Sequence, residues 1–313
     1  MTRPVAVVVM AYGTPRSPDD IEPYYLDIRR GRPPTEEQLA DLTARYAAIG
    51  GVSPLARITE AQRDVLQEAL DRLEPGRFTA VLGMKHAAPK VAETARLAAE
   101  SGVETIVGLV LAPHESSASI GEYQQRLHDG VAEAGIDASP RVVEIRSWAT
   151  LPAFVEFLAD DLGRRLAAMR AGVDGKVRVA FTAHSLPERV IAGGDPYVDE
   201  LRATATAVAE RLDLAEGDDW QIAWQSAGRT PEPWIGPDIL TVIDDLADDP
   251  EIAGLIVCAC GFTADHLEVL FDLDIEAATR ATERGLAFDR TASVDADEAV
   301  IGALAELVRA SAS

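Results

Sequence analysis

Short apolar runs rich in β-branched residues alternate with longer helical patterns along almost the entire chain. The runs lie at 5–10, 78–83, 104–111, 142–146, 177–183, 221–225 and 254–259, with a weaker one at 286–290. The longest helical patterns lie at 36–49, 58–73, 152–171, 198–212 and 296–311. Such alternation predicts parallel strands joined by crossover helices. The chain is therefore predicted to be an α/β protein.

The eight predicted strands fall into two groups of four, on either side of a turn at 171–175. We expect two Rossmann-like halves, residues 1–172 and 173–295, each with a four-stranded parallel sheet flanked by helices. The helical pattern at 296–313 is expected to pack back on the first half. A cleft should separate the two halves.

The first strands of the two halves end in related sequences, MAYGTP at 10–15 and TAHSLP at 182–187. Ligands of open α/β sheets bind beyond the carboxyl ends of the strands. Tyr12 and His184 are therefore predicted to face the cleft.

Composition argues against several classes of protein. The chain has 313 residues and a net charge of −23, whereas nucleic acids and anionic membranes attract basic surfaces. No stretch approaches the ~18 apolar residues of a membrane span, and no G-x-G-x-x-G motif follows the first strand. The two cysteines, Cys258 and Cys260, are poorly placed for a disulfide with each other. These features predict a soluble cytoplasmic protein.

Three carboxylates stand four residues apart near the C-terminus: Glu268, Asp272 and Glu276. On a helix they would lie along one side and span roughly 12 Å, too far for one ion to touch both ends. The row could collect divalent cations and serve as a route for them. The alternative is the solvated face of an acidic helix, and the row alone does not decide between the two.

Two further groups of residues suggest a ligand. Arg29, Arg30 and Arg32, with Arg45 downstream, form the densest basic cluster, and guanidinium groups bind carboxylates or phosphates in bidentate fashion. A solvated loop would explain the cluster equally well. His184, at a predicted strand end, could be structural. If it lies beside Glu268, the pair would offer a nitrogen and an oxygen to a divalent metal, and the imidazole could accept protons.

Seven motifs, in this order and over about 260 residues, resemble those of the ferrochelatase family. They are MAYGTP at 10–15, IRRGR at 28–32, RY at 45–46, IGGVSPL at 49–55, AHSLP at 183–187, WQS at 224–226 and GFTADHLE at 261–268. The similarity is greatest to the soluble Gram-positive and actinobacterial type, which inserts Fe²⁺ into coproporphyrin III. It implies an enzyme of haem biosynthesis, a lyase, with Fe²⁺ as a substrate.

The resemblance also implies roles for individual residues. His184 and Glu268 match the catalytic iron site on one face of the porphyrin, and Tyr12 matches a residue on the opposite face. Asp272 and Glu276 match acids of a second, hydrated metal site, with Mg²⁺ as a candidate ion. The remaining matches are residues that contact the porphyrin and its propionates: Arg29, Arg45, Tyr46, Ser53 and Tyr123.

The sequence departs from some family members. Those with a [2Fe–2S] cluster use four cysteines, so no cluster is expected here, and the apolar lip of membrane-associated members is replaced by charged residues over 12–55. We expect a monomer without a membrane anchor that passes its product to a downstream haem-pathway enzyme. Alternatives are a protoporphyrin IX ferrochelatase, a chelatase for another metal and tetrapyrrole, and a non-catalytic haem or metal carrier.

Three other histidines lie at predicted strand ends or close to Glu268 in the sequence. His86 and His114 also lie at predicted strand ends, and both are predicted to be mainly structural. His266 is two residues from Glu268, or roughly 200° around a helix. It is therefore predicted to face away from the site.

Overall fold

The computed structural model describes residues 4–228 and 230–313. Eight strands occur in this part of the chain: β1 (Val5–Ala11), β2 (Phe78–Met84), β3 (Thr105–Val110), β4 (Arg141–Ile145), β5 (Lys176–His184), β6 (Trp220–Gln225), β7 (Ile252–Cys258) and β8 (Ala287–Arg290). Each strand overlaps one of the runs predicted from the sequence.

Twelve α-helices connect and cover the described strands. They are α1 (Ile21–Ile28), α2 (Glu36–Ala48), α3 (Leu55–Leu73), α4 (Val91–Glu100), α5 (Ile120–Glu133), α6 (Pro152–Gly172), α7 (Glu188–Ala192), α8 (Tyr197–Arg211), α9 (Ile239–Ala247), α10 (Leu267–Leu270), α11 (Ala278–Arg284) and α12 (Glu298–Ser311). A 3₁₀ turn at Pro18–Asp20 precedes α1, and a π-helix at Asp272–Ala277 lies between α10 and α11.

The strands form two parallel sheets with the same connectivity. The first has the order β2-β1-β3-β4 and the second β6-β5-β7-β8. Every residue of β1 is buried, as expected for a central strand covered by helices on both faces. The predicted fold class, two four-stranded parallel sheets flanked by helices, is confirmed.

One apolar core runs from the first sheet into the second. It includes Val7 and Val9 of β1 together with Val179 and Phe181 of β5. The C-terminal helix α12 packs on α3, and α6 packs on α8, β5 and β7. The limits 1–172 and 173–295 for the two halves remain a prediction, and residues 1–3 lie outside the described part of the chain.

Candidate active site

A cavity of about 660 Å³ lies at the carboxyl ends of the central strands of both sheets. Tyr12, directly after β1, and His184, the last residue of β5, both line it. Side chains from α2, α5 and α10 line it as well: Arg45, Tyr123 and Glu268. A cleft of this size can hold a small organic ligand.

His184 and Glu268 face each other across the second-half wall of this cavity. Nε2 of His184 lies 3.6 Å from Oε1 of Glu268. The other ring nitrogen, Nδ1, contacts the carbonyl oxygen of Ser185, which fixes the orientation of the ring and directs Nε2 toward the carboxylate. The two side chains thus present a nitrogen and an oxygen at one point of the cavity.

The pKa values of this pair are displaced in opposite directions. Burial by itself lowers the pKa of His184, but the Glu268 carboxylate outweighs burial and raises it to about 9. Burial raises the pKa of Glu268, but His184 outweighs that effect and lowers it to about 2. At neutral pH the pair is therefore an imidazolium and a carboxylate. A divalent cation that binds through Nε2 must displace the imidazolium proton.

The prediction that His266 faces away from the site is wrong. His266 precedes α10 as its N-cap, with an extended backbone (φ −152°, ψ −176°), so the 100° step of a helix does not apply to it. Its Nε2 lies 3.8 Å from Oε2 of Glu268, and its ring lines the cavity. Burial lowers the pKa of His266. Glu268 therefore lies between two imidazoles, a charged one and a neutral one.

The sequence suggested that the three carboxylates of the C-terminal row lie on one regular α-helix, but the structure shows otherwise. Glu268 belongs to the four-residue α10, whereas Asp272 and Glu276 belong to the π-helix. Asp272 is buried, and burial followed by the Glu268 charge raises its pKa to about 7. The carboxyl group of Asp272 accepts a hydrogen bond from Ser226. The row therefore runs from the charged Glu268, through Asp272 with a pKa near neutral pH, to the half-exposed Glu276.

Arg45, on α2 in the first half of the chain, forms ion pairs with two carboxylates of this row. Its Nη2 atom lies 3.2 Å from Asp272 Oδ1 and 3.7 Å from Glu276 Oε2. Its guanidinium also lies over the Phe271 ring, 4.5 Å from the centroid. Arg45 lines the cavity as predicted for a porphyrin-binding residue, but its contacts in this structure are with the acidic row.

The other residues matched to porphyrin binding also line the cavity, and several have structural partners. Tyr46 is buried, with its hydroxyl 3.3 Å from the Thr14 hydroxyl. Ser53 accepts a hydrogen bond from the Leu55 amide at the start of α3. The two remaining residues are the partly buried Arg29 and the buried Tyr123. The structure brings these side chains together; their binding roles remain predictions.

Tyr12 is 40% exposed within the cavity. Its ring centroid lies 4.6 Å from that of His86, and His86 Nδ1 lies 2.7 Å from Asp27 Oδ2. His86 therefore supports the Tyr12 ring. His114 is buried, lines the cavity and has its Nε2 2.9 Å from the Thr204 hydroxyl.

The fold is similar to that of chelatases of known structure. The chain superposes on the sirohydrochlorin chelatase SirB from Bacillus subtilis subspecies spizizenii, solved with cobalt, with a TM-score of 0.54 and 10% identity, covering 99% of this chain and 95% of that one. CbiX, described as the terminal enzyme for siroheme biosynthesis in denitrifying bacteria, gives a TM-score of 0.54 at 15% identity, covering 99% and 100%. At these identities the likeness concerns the fold.

Sequence comparison gives the family. A profile of the family described as Ferrochelatase matches residues 4–312. The chain is 40% identical over 308 residues to a ferrochelatase from Herpetosiphon aurantiacus, covering 98% of this chain and 99% of the relative. It is 41% identical over 307 residues to coproporphyrin III ferrochelatase 2 from Bacillus cereus, covering 97% and 93%. The chain belongs to the ferrochelatase family.

These comparisons confirm the predicted family. They also confirm the predicted enzyme class, a chelatase of haem biosynthesis for which Fe²⁺ is a substrate. Across residues 4–228 and 230–313, no helix combines the length and the apolar character needed to cross a membrane.

Proposed function

We propose that this chain inserts Fe²⁺ into coproporphyrin III to form coproheme, with His184 and Glu268 as the metal-binding and proton-accepting residues. The observation that carries the proposal is the His184–Glu268 pair, 3.6 Å apart in a cavity formed by both halves of the chain. The substrate is supported by the name of the Bacillus cereus relative, a coproporphyrin III ferrochelatase, and by the arginines at the cavity.

The chemistry requires two protons to leave the porphyrin. Fe²⁺ forms bonds to four pyrrole nitrogens while two N–H bonds break, so the product is neutral at its core and two H⁺ are released. In the proposed reaction, Fe²⁺ first displaces the His184 proton and binds Nε2 and Glu268. When the iron moves to the porphyrin, these groups become free to accept the pyrrole protons. The neutral His266 beside Glu268 offers a further acceptor.

The proposal includes a second, hydrated divalent cation such as Mg²⁺ at Asp272 and Glu276. Oδ1 of Asp272 is buried and accepts no hydrogen bond among the described residues. Its negative charge therefore has to be balanced by a nearby cation. Arg45 supplies that positive charge in this structure. No group of three or more His, Cys, Asp or Glu residues suited to a metal occurs within 4–228 and 230–313. Water must therefore complete the coordination of such an ion.

We further propose that the enzyme works as a cytoplasmic monomer and transfers coproheme to a downstream enzyme of the haem pathway. Coproheme retains four propionates, which make it more polar than a product with two. A polar product does not need a membrane for its transfer. The net charge of −23 disfavours binding to anionic membranes.

The direct test is anaerobic incubation of the purified protein with Fe²⁺ and either coproporphyrin III or protoporphyrin IX. Loss of porphyrin fluorescence and growth of the haem absorbance report insertion. We expect the larger kcat/KM with coproporphyrin III. A larger value with protoporphyrin IX would contradict the proposed substrate, and tight porphyrin binding without insertion would indicate a carrier.

The variant His184→Ala tests the proposed site. It should reduce kcat by roughly 10²-fold or more, the range for loss of a general acid–base group, while coproporphyrin III still binds. His128→Ala is the matched control, because His128 is a surface residue paired with Glu144. Turnover by His184→Ala at the control rate would exclude His184 from the chemistry.

A further inference from the structure

Lys85 is a buried lysine at the cavity with no part in the reaction described above. It directly follows β2, lines the cavity and is only 7% exposed. Its Nζ atom lies 2.8 Å from Glu122 Oε2, and 5.9 and 5.2 Å from the ring centroids of Tyr12 and Tyr123. An ammonium group is costly to bury unless it is paired. Glu122 provides one acceptor for its three donors.

Positive charge around Glu122 exceeds the charge of that carboxylate. Nη2 of Arg30 lies 3.3 Å from Glu122 Oε1, and Arg126 donates a hydrogen bond to the Lys85 carbonyl oxygen. Burial raises the pKa of Glu122, but Lys85, followed by Arg30 and Arg126, outweighs burial and lowers it. Three cations thus surround one carboxylate in a protein with a net charge of −23.

Arg30 adjoins Arg29, but Lys85 and Arg126 are distinct from Arg29 and Arg45, the basic residues that the resemblance assigned to propionates. Arg45 belongs to α2 and contacts acids of the second half of the chain. Lys85 follows β2 and contacts Glu122 of α5. No contact joins Lys85 to Arg45 among the described residues. A ligand held by both would carry anionic groups on more than one part of its edge.

We propose that Lys85 is a specificity-determining residue that binds a carboxylate of the porphyrin, in competition with Glu122. The inference rests on the proposed function and extends it by naming a second carboxylate subsite. Glu122 is half-exposed and stands in the first turn of α5, so its side chain can turn toward solvent when a substrate carboxylate arrives. Protoporphyrin IX carries two propionates on adjacent rings, whereas coproporphyrin III carries one on each ring. The second subsite favours the latter.

The test measures the affinity of free-base coproporphyrin III by fluorescence and its KM and kcat in iron insertion. Lys85→Met should weaken binding and raise KM by roughly tenfold or more, as expected for loss of a charge-assisted hydrogen bond, with kcat changed less than about twofold. Lys85→Arg should recover most of the affinity. Lys176→Met is the matched control, because it removes the same charge from a surface pair with Glu251.

A purely structural ion pair is distinguished by Glu122→Gln. If Glu122 competes with the substrate, this variant should lower KM for coproporphyrin III, and the effect should vanish in the double variant Lys85→Met/Glu122→Gln. A structural pair would leave KM unchanged or raise it, which overturns the proposal. Glu122→Gln also provides the test if Lys85→Met does not fold.

Two results separate this inference from the proposed function. If the wild type inserts iron into coproporphyrin III and folded Lys85→Met has an unchanged KM, the proposed subsite is wrong while the proposed function stands. Absence of wild-type insertion overturns the proposed function, and the fluorescence titration without iron then still decides the subsite. A loss of affinity in Lys85→Met that is equal for coproporphyrin III and protoporphyrin IX would overturn the role in specificity.

Discussion

Three histidines at or beside the cavity differ in charge because their neighbours differ. The Glu268 carboxylate outweighs burial and raises the pKa of His184 to about 9. Burial lowers the pKa of His86 to about 4 despite its bond to Asp27, and it lowers that of His114 to about 3. At neutral pH, His184 thus holds a proton that a metal can replace, while the other two rings remain neutral supports.

The buried, neutral His114 should make the protein sensitive to acid. Its pKa is lower in the folded than in the unfolded state, so the unfolded chain binds more protons between pH 6.5 and 3. Its stabilising contribution is complete above pH 6.5 and declines as the pH falls. From pH 7 to pH 5, the loss should be about 2 kcal/mol.

Urea unfolding of the wild type and His114→Gln at both pH values measures this contribution. The variant lacks the titrating ring, so its stability should fall by less over the same interval, whatever its stability at pH 7. His184 has the opposite sign, since its raised pKa makes its contribution decline as the pH rises from 6.5 through 9. Equal slopes for the wild type and His114→Gln would contradict the assignment.

Residue-level prediction from the sequence succeeded where a local pattern was sufficient. The strand end predicted that His184 faces the cleft, and the resemblance to ferrochelatases paired it with Glu268; the structure places the two side chains 3.6 Å apart. His266 was missed because its N-cap backbone turns the ring back toward Glu268. The ion pairs of Arg45 were missed because they join residues more than 200 positions apart, and no local pattern records such contacts.

The π-helix at Asp272–Ala277 is the element on which a cation route along the carboxylate row would depend. An isolated π-helical turn is often associated with a functional site, and this one carries Asp272 and Glu276 from the buried to the exposed end of the acidic row. The sequence could not reveal it, because carboxylates spaced four apart fit an α-helix as well. The eight strands, by contrast, were predicted at the right places because each overlaps a short apolar run between helical patterns, and β1 and β3 are buried throughout.

If the row delivers iron, its variants should change the metal requirement more than the chemistry. Asp272→Asn and Glu276→Gln should raise KM for Fe²⁺ several-fold, while kcat at saturating Fe²⁺ stays within about twofold, because uniform binding affects KM. Glu283→Gln, an exposed charge of α11, is the control. An equal loss of kcat at saturating iron would show that the row acts in insertion itself.

Two helical glycines offer a matched test of how closely the elements pack. A Cβ at Gly130 of α5 would lie 2.1 Å from the Ala92 carbonyl oxygen of α4, whereas one at Gly302 of α12 would meet nothing within 4 Å. Gly130→Ala must push the helices apart and should destabilise the protein by about 1–3 kcal/mol. Gly302→Ala should stabilise it by about 0.5–1 kcal/mol through helix propensity. Thermal unfolding followed by circular dichroism gives both signs, and a stabilised Gly130→Ala would refute the close approach.

At the scale of the whole molecule, polar contacts hold the two halves together beside the cavity. Asp195 accepts hydrogen bonds from the Ser117 amide and hydroxyl at 2.7 Å, and Glu200 accepts one from the Ser147 hydroxyl at 2.8 Å. On another side, Gln62 of α3 donates to the Asp295 carbonyl oxygen at 2.8 Å. These contacts set the relative position of Tyr12 and His184, which come from different sheets. Their number and partners are not encoded in any local sequence pattern.

Because the core and these polar contacts cross from one half to the other, the chain should unfold in a single transition despite having two sheets. Trp148 packs on Phe154 near the first sheet, and Trp220 packs on Phe181 in the second, yet all four belong to one apolar cluster. Variants that retain only Trp148 or only Trp220 should each show a fluorescence midpoint equal to their own circular dichroism midpoint. Wild-type calorimetry should give equal calorimetric and van't Hoff enthalpies. An earlier midpoint for one tryptophan would mean that the halves unfold separately, and the cavity between them would then open before the fold is lost.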